Sequence, residues 1–210
     1  MLGRPFAGLL KPPVLDDIQW GTLNMTYRGV RMLKNPFDLA LYTMLIGRLR
    51  PRTVIEIGTL EGGSALWFAD ILSAHQIAEP RVISLDIQPS ATVSDERITF
   101  VQGDARALDE ALDAATMGAI ERPLLAIDDG SHVYEDCLAS LEFFNRHLGA
   151  GDYVVVEDGN LSQFSHPAYR AVAAFLSAHP QEYEIDTELC DHFGYNVTYN
   201  PNGWLRRLQQ

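Results

Sequence analysis

Val54-Ile55-Glu56-Ile57-Gly58-Thr59-Leu60-Glu61-Gly62-Gly63-Ser64 is a short apolar run that breaks into a glycine-rich turn and then opens a helix. Gly58 ends the strand, and Gly62-Gly63 remove the side chains that would keep a bound molecule away from the backbone and the first N–H groups of the helix. The loop reads Gly-x-x-x-Gly-Gly, not the Gly-x-Gly-x-x-Gly of dinucleotide folds, which argues against NAD.

Outward from this turn, strand and helix patterns alternate. Thr53–Ile57 is followed by a helix over Ser64–Ala74, then a strand Arg81–Asp86, and Ile98–Gln102 precedes a helix over Ala107–Ala115. Leu124–Asp128 leads into Tyr134–Leu148, and Tyr153–Val156 into Pro167–His179. Such alternation predicts a doubly wound, mostly parallel α/β sheet with helices on both faces, and the consecutive apolar residues of Val54-Ile55, Leu124-Leu125-Ala126-Ile127 and Val154-Val155-Val156 suit strands covered on both sides. Tyr183–Glu188, Asn196–Asn200 and Trp204–Leu208, the last two separated by Pro201-Asn202-Gly203, read as antiparallel strands closing one edge. Before the first core strand, Asn35-Pro36 caps a helix from Phe37 to Leu49 that Pro51 stops, and the Gly- and Pro-rich residues 1–35 read as an irregular arm, a candidate lid.

The composition agrees with one domain over residues 1–210, residues 1–50 forming the arm and first helix and 51–210 the core. With 210 residues and 47% hydrophobic content the chain can bury a full core, and 16 Lys+Arg against 28 Asp+Glu give a net charge of -12, which repels nucleic-acid backbones and anionic lipid. No apolar run approaches the ~20 residues of a membrane helix, and no apolar signal segment is visible, so a cytoplasmic protein is expected. Cys137 and Cys190 are too isolated for a disulfide framework or a thiolate metal site.

In open α/β sheets ligands lie beyond the C-terminal strand tips, which here carry Gly58, Asp86, Asp104, Asp128-Asp129 and Glu157-Asp158. Asp86 is placed to accept hydrogen bonds from ribose hydroxyls and Asp104 to meet an adenine edge; alternatively each caps a helix or a turn. If the strands of Asp128 and Val156 pair, their tips stand about 5 Å apart. Asp129, Glu157 and Asp158 then converge, and carboxylates that close need a cation, for which hard oxygens suit Mg²⁺. His132, three residues after Asp129, is aimed at the same place and is suited to take a proton from a metal-acidified hydroxyl, or else is a polar helix-start residue. His166 and His192 are weaker candidates, and His75, His147 and His179 fall at helix ends. Lys34 and Asp38 read either as contacts to the charged end of a cofactor or, preferentially, as a surface pair one helical turn apart.

VIEIGTLEGGSA, VISLDIQ, QGDA and the closing antiparallel strands resemble class I S-adenosylmethionine-dependent methyltransferases with a Rossmann-like fold. More narrowly, YRGVRMLKNPFDLALY, IDDGSHVYED, VVVEDGN and TYNPNGWLRRL resemble the cephalosporin hydroxylase-named family and the related metal-dependent O-methyltransferases of macrolide sugars, over about residues 25–208. The resemblance implies Gly58, Thr59, Gly62 and Ser64 as the methionine-side cradle, Asp86 as ribose partner and Asp104 beside adenine, with Glu56, Gly63 and Asp128 completing the cofactor set. It implies Asp129, Glu157 and Asp158 as Mg²⁺ ligands and His132 as base. The expected function is Mg²⁺-dependent methyl transfer from S-adenosylmethionine to a hydroxyl of a sugar or hydroxylated natural product, in a chain that binds no nucleic acid or membrane and that assembles, if at all, as a homo-oligomer. A metal-assisted hydroxylase, or a non-catalytic S-adenosylmethionine-binding partner of another enzyme, is the alternative.

Overall fold

The computed structural model describes residues 3–88, 90–160 and 168–208. The chain opens with α1 (Pro12–Leu23), β1 (Thr26–Tyr27), β2 (Val30–Arg31), α2 (Pro36–Leu49), β3 (Thr53–Ile57), α3 (Gly63–Ala74), β4 (Arg81–Asp86) and β5 (Ile98–Gln102). A short 3-10 turn at Ala105–Ala107, α4 (Leu108–Ala111), α5 (Ala114–Gly118), β6 (Leu124–Asp128), α6 (Tyr134–His147) and β7 (Tyr153–Val156) follow. It closes with α7 (Tyr169–Ala178), β8 (Tyr183–Ile185), α8 (Thr187–Cys190) and β9 (Trp204–Arg207).

β3 to β9 form one sheet in the order β5-β4-β3-β6-β7-β9-β8. The first five of these are parallel, whereas β9 runs antiparallel to both β7 and β8. The expected doubly wound sheet with an antiparallel edge is therefore observed. Each strand sends alternate residues to opposite faces. Val54, Leu125, Ile127 and Val155 pack with Leu41, Leu45 and Ile46 of α2 and with Leu66 and Phe68 of α3. Ile55, Leu124, Ala126 and Val154 pack with Leu141 and Phe144 of α6 and with Val172 and Phe175 of α7. Both faces are thus dry, which explains the unbroken apolar runs.

The chain proceeds outward from β3 through β4 to β5, then returns to lay β6 on the other side of β3. The order reverses between β3 and β6, and that gap opens a crevice at the strand tips.

Some local expectations change. The N-terminal segment is not wholly irregular: Pro12 and Pro13 begin α1, since proline in the first turn lacks only an N–H that has no helical partner. Arg28 and Gly29, both at positive φ, turn the β1–β2 hairpin. The helix expected over Ala107–Ala115 is divided, because Asp113 accepts from Thr116 N at 2.8 Å and starts a new one. Asn196–Asn200 forms no strand: Asp38 of α2 takes the Thr198 hydroxyl and Tyr199 N, and Thr198 Oγ1 takes Asn200 N, so side chains capture the groups a ladder would use. His166 and Pro167 lie outside the described residues.

Candidate active site

At the reversal the backbones nearly touch. Gly58 has φ +99°, and a Cβ there would stand 2.0 Å from Asp129 O, so only glycine allows the β3 and β6 tips to lie side by side. Asp129 N donates to Ile57 O and Glu157 N to Asp128 O, both at 2.9 Å, which locks the three acidic tips to the sheet. The Asp86 carboxylate at the β4 tip accepts from Thr59 N at 2.9 Å and Leu60 N at 3.1 Å, holding the glycine loop open. A cavity of about 500 Å³ lies over these tips, with Gly58, Thr59, Ser64, Asp86 and Asp104 at one side and Asp129, His132 and Asp158 at the other. Its volume lies in the range of small-molecule sites.

Beneath the acidic side lies Lys34, only 1% exposed. Its ammonium donates to Asp129 Oδ2 at 2.5 Å and Glu157 Oε1 at 2.7 Å, and stands 3.5 Å from Glu56 Oε1. Tyr42 of α2 donates to the same Glu157 oxygen at 2.7 Å. Burial works against the lysine charge, but the carboxylates of Asp129, Glu157 and Glu56 outweigh it and hold the group protonated well above the ordinary lysine value. Glu56 extends the network, accepting from Ser84 Oγ at 3.0 Å while Ser84 pairs with Thr59 Oγ1 at 2.8 Å. Buried polar atoms therefore run from the glycine loop to the acidic tips without a break larger than the Lys34–Glu56 separation.

Above Lys34, one ligand atom each from Asp129, His132 and Asp158 lies within 4.8 Å of the others. His132 Nε2 is 3.5 Å from Asp158 Oδ2 and 3.9 Å from Asp129 Oδ1. His132 and Asp158 both have φ +57°, a conformation that costs a side-chain-bearing residue energy and is tolerated where surrounding structure enforces it. Burial pushes Asp129 up to about 6 despite the pull of Lys34, and burial with the neighbouring Asp129 and Glu157 pushes Asp158 well above the usual carboxylate range. Burial holds His132 down near 4, so its imidazole is neutral at physiological pH and can accept a proton or bind a metal. Hard carboxylate oxygens converging where one internal cation leaves negative charge uncompensated fit a divalent ion such as Mg²⁺. The glycine turn and Asp86, side by side on the cavity wall, fit a nucleoside cofactor.

The residues proposed from sequence divide. Gly58, Thr59, Ser64, Asp86, Asp104, Asp129, His132 and Asp158 line the cavity. Asp104 also accepts from Arg106 N at 2.9 Å, as the turn-capping alternative had it. Glu56, Gly62, Gly63, Asp128 and Glu157 stand behind the wall. A Cβ on Gly63 would meet Arg31 O at 2.1 Å and one on Gly62 the Val93 side chain at 2.9 Å, so those glycines serve close packing. Asp128 is buried beside the Cys137 thiol, and burial raises it to about 6. Glu157 accepts from Lys34 and Tyr42 and is not part of the Asp129–His132–Asp158 group. His192 is not among the cavity-lining residues.

The expected surface pair of Lys34 and Asp38 is not found, for both are buried. Asp38 holds the 198–199 segment, and burial raises it to about 7. Sequence reasoning also missed Tyr42, Tyr199 and the cavity face of α1. A Lys-Asn-Pro signal with the lysine outside the helix cap was the available clue to Lys34.

A family model described as Rhamnosyl O-methyltransferase/CmcI matches residues 20–208. The Rhamnosyl O-methyltransferase of Mycobacterium tuberculosis (strain ATCC 25618 / H37Rv) is 32% identical over 203 residues, covering 87% of this chain and 78% of the relative. That of Mycobacterium leprae (strain TN) is 33% identical over 207 residues, with 90% and 84% covered. A solved structure of CmcI described as Mg-SAM superposes with a TM-score of 0.69 at 28% identity, covering 89% of this chain and 77% of that one. An apo CmcI structure gives 0.73 at 26% identity over 99% and 88%.

Proposed function

The chain belongs to the Rhamnosyl O-methyltransferase/CmcI family and is an S-adenosylmethionine-dependent O-methyltransferase; from that premise we propose that it methylates a sugar hydroxyl, with Asp129 and Asp158 holding Mg²⁺ and His132 removing the proton. The observation that carries this reading is the convergence of Asp129, His132 and Asp158 within 4.8 Å, on a cavity whose other side is the glycine loop and Asp86. The relatives bear the name Rhamnosyl O-methyltransferase, and the CmcI structure holds Mg and SAM, which supports the sugar acceptor, the metal and the cofactor.

When bound, S-adenosylmethionine supplies the electrophilic methyl and Mg²⁺ the positive charge that acidifies an acceptor hydroxyl. Gly58, Thr59, Leu60 and Ser64, the members of the turn that line the cavity, would lie against the cofactor, and Asp86 holds that turn in place while its carboxylate would meet ribose. Asp129 and Asp158 would hold the cation on the acceptor side of the cavity. His132 Nε2, neutral and close to both carboxylates, would take the hydroxyl proton. Lys34, at the cavity wall, fixes the aim of Asp129 Oδ2 and restrains Glu157. Placing the reacting groups together is itself a large part of the rate gain.

The test is transfer of labelled methyl from S-adenosylmethionine to a panel of glycosides with Mg²⁺ and with EDTA. Transfer that requires the metal supports the reading; transfer undiminished by EDTA removes the metal's part. The 3.5 Å approach of His132 to Asp158 favours one second reading, in which His132 is a third metal ligand. His132→Ala separates the two: a base leaves Mg²⁺ affinity intact and lowers turnover by about 10²-fold or more, while a ligand takes Mg²⁺ binding with it.

A further inference from the structure

α1 turns an unusual face to the molecule. Among its twelve residues only Leu15, Ile18, Gln19 and Thr22 are less than exposed, and these recur at i, i+3, i+4 and i+7, a single helical stripe. On such a stripe the last two positions should be apolar. They are instead an amide and a hydroxyl, and both line the cavity. Gln19 Oε1 and Thr22 Oγ1 are buried atoms with no hydrogen-bond partner, and Thr22 as a whole is 3% exposed. Buried acceptors without partners cost stability, and native proteins keep few of them.

The position of α1 says what they face. Tyr199, itself a cavity residue, donates its hydroxyl to Leu15 O at 3.1 Å, tying the start of the helix to the segment whose Asn200 Oδ1 receives Asp158 N. At the other end Met25 N bonds Thr22 O, and the hairpin that follows places Arg31 O against Gly63 at the start of α3. The helix is thus tied at its start to the Asp158 side and followed by the hairpin that reaches the cofactor loop, and Gln19 and Thr22 line the same cavity. Their groups are uncharged and stand in a cavity already rich in carboxylates, so they suit neutral hydroxyl donors and not anions. At i, i+3 on a helix their Cβ atoms are about 5–6 Å apart, so that one pyranose ring can meet both side chains.

We propose that Gln19 and Thr22 form an acceptor-recognition subsite that hydrogen-bonds sugar hydroxyls neighbouring the one that is methylated. This rests on the reading of the chain as a sugar O-methyltransferase and adds residues that determine which ring position is presented.

The test uses the full chain loaded with S-adenosylhomocysteine and Mg²⁺, with methyl α-L-rhamnopyranoside and its singly deoxygenated analogues as probes, against the isosteric Gln19→Met and Thr22→Val. Each variant is expected to weaken glycoside binding by about fivefold or more, the effect of one lost hydrogen bond, and to stop discriminating against one deoxy analogue. S-adenosylhomocysteine affinity should stay within about twofold of wild type, and the unfolding temperature of the ligand-free variants should hold or rise, since an unpaired buried atom has been removed. A purely structural role would lower that temperature instead. Variants that bind glycoside as wild type does, that lose S-adenosylhomocysteine instead, or that melt lower with parallel loss of both ligands overturn the subsite alone. A wild type that binds S-adenosylhomocysteine but no glycoside overturns the sugar reading and the subsite with it.

Discussion

Lys34 shows how one side chain can set a site it does not chemically enter. Its charge lies within 3.5 Å of Glu56, Asp129 and Glu157, almost wholly removed from water. Lys34→Met therefore leaves buried carboxylates without their counter-charge and should destabilise the metal-free protein by about 3 kcal/mol, the usual cost of breaking a buried pair from one side. Denaturant unfolding in EDTA measures it, and adding Glu157→Gln to the same chain should recover part of the loss; an unchanged midpoint in the single variant contradicts the role. The residue was illegible in the sequence for a physical reason. Its spacing to Asp38 invited the helical i, i+4 rule, but Asn35 Oδ1 caps α2 by accepting Phe37 N at 2.7 Å, so Lys34 stands outside the helix and the rule does not reach it. By contrast, Asp129 and His132 could be read directly, because a short turn at a strand tip leaves their side chains nowhere to go but the crevice.

At the scale of elements, two contacts between segments carry the geometry. The first is the passage of Gly58 against the β6 tip. Gly58→Ala forces a Cβ to 2.0 Å from Asp129 O at φ +99°, so it should cost about 2 kcal/mol or more and weaken S-adenosylhomocysteine binding sharply; calorimetry on the purified variant checks both. The second is the attachment of α2 to the 198–199 segment through Asp38, whose carboxyl titrates near 7 when folded against an ordinary value of 3.8. A folded value above the unfolded one means that folding favours the protonated acid, so this stabilisation is full below about pH 4 and is lost as pH rises toward 7. Asp38→Asn should flatten that fall in stability between pH 4 and 7 while lowering stability overall through the lost bond to Tyr199 N; urea midpoints across the range give the answer, and a slope like that of wild type refutes it. That segment was misread as a strand because alternation of Asn196, Thr198 and Asn200 with Val197 and Tyr199 has the period of one. Side-chain bonds that decide otherwise depend on a partner 160 residues away.

For the whole molecule, the parallel order and the crevice followed from the alternation of elements, since unbroken apolar strands with amphipathic connections admit few other arrangements. The antiparallel edge was legible only in part: Tyr183–Ile185 and Trp204–Arg207 pair antiparallel, but the turn at Pro201-Asn202-Gly203 does not join two strands. The split between cavity-lining and backing residues was not legible, because Glu157 and Asp158 are adjacent in sequence and alike in chemistry, yet Asp158 lines the cavity and Glu157 does not. No helix among the described residues is long and apolar enough to cross a membrane. In the proposed function one cavity has a metal-binding half and a cofactor-binding half, which mutation should separate. Calorimetric titration of Mg²⁺ into protein saturated with S-adenosylhomocysteine, wild type against Asp129→Ala, tests this most directly. A Mg²⁺ heat present in wild type and absent in Asp129→Ala, with S-adenosylhomocysteine bound by both, is the predicted result; a Mg²⁺ heat that survives the substitution, or no binding of S-adenosylhomocysteine at all, contradicts it.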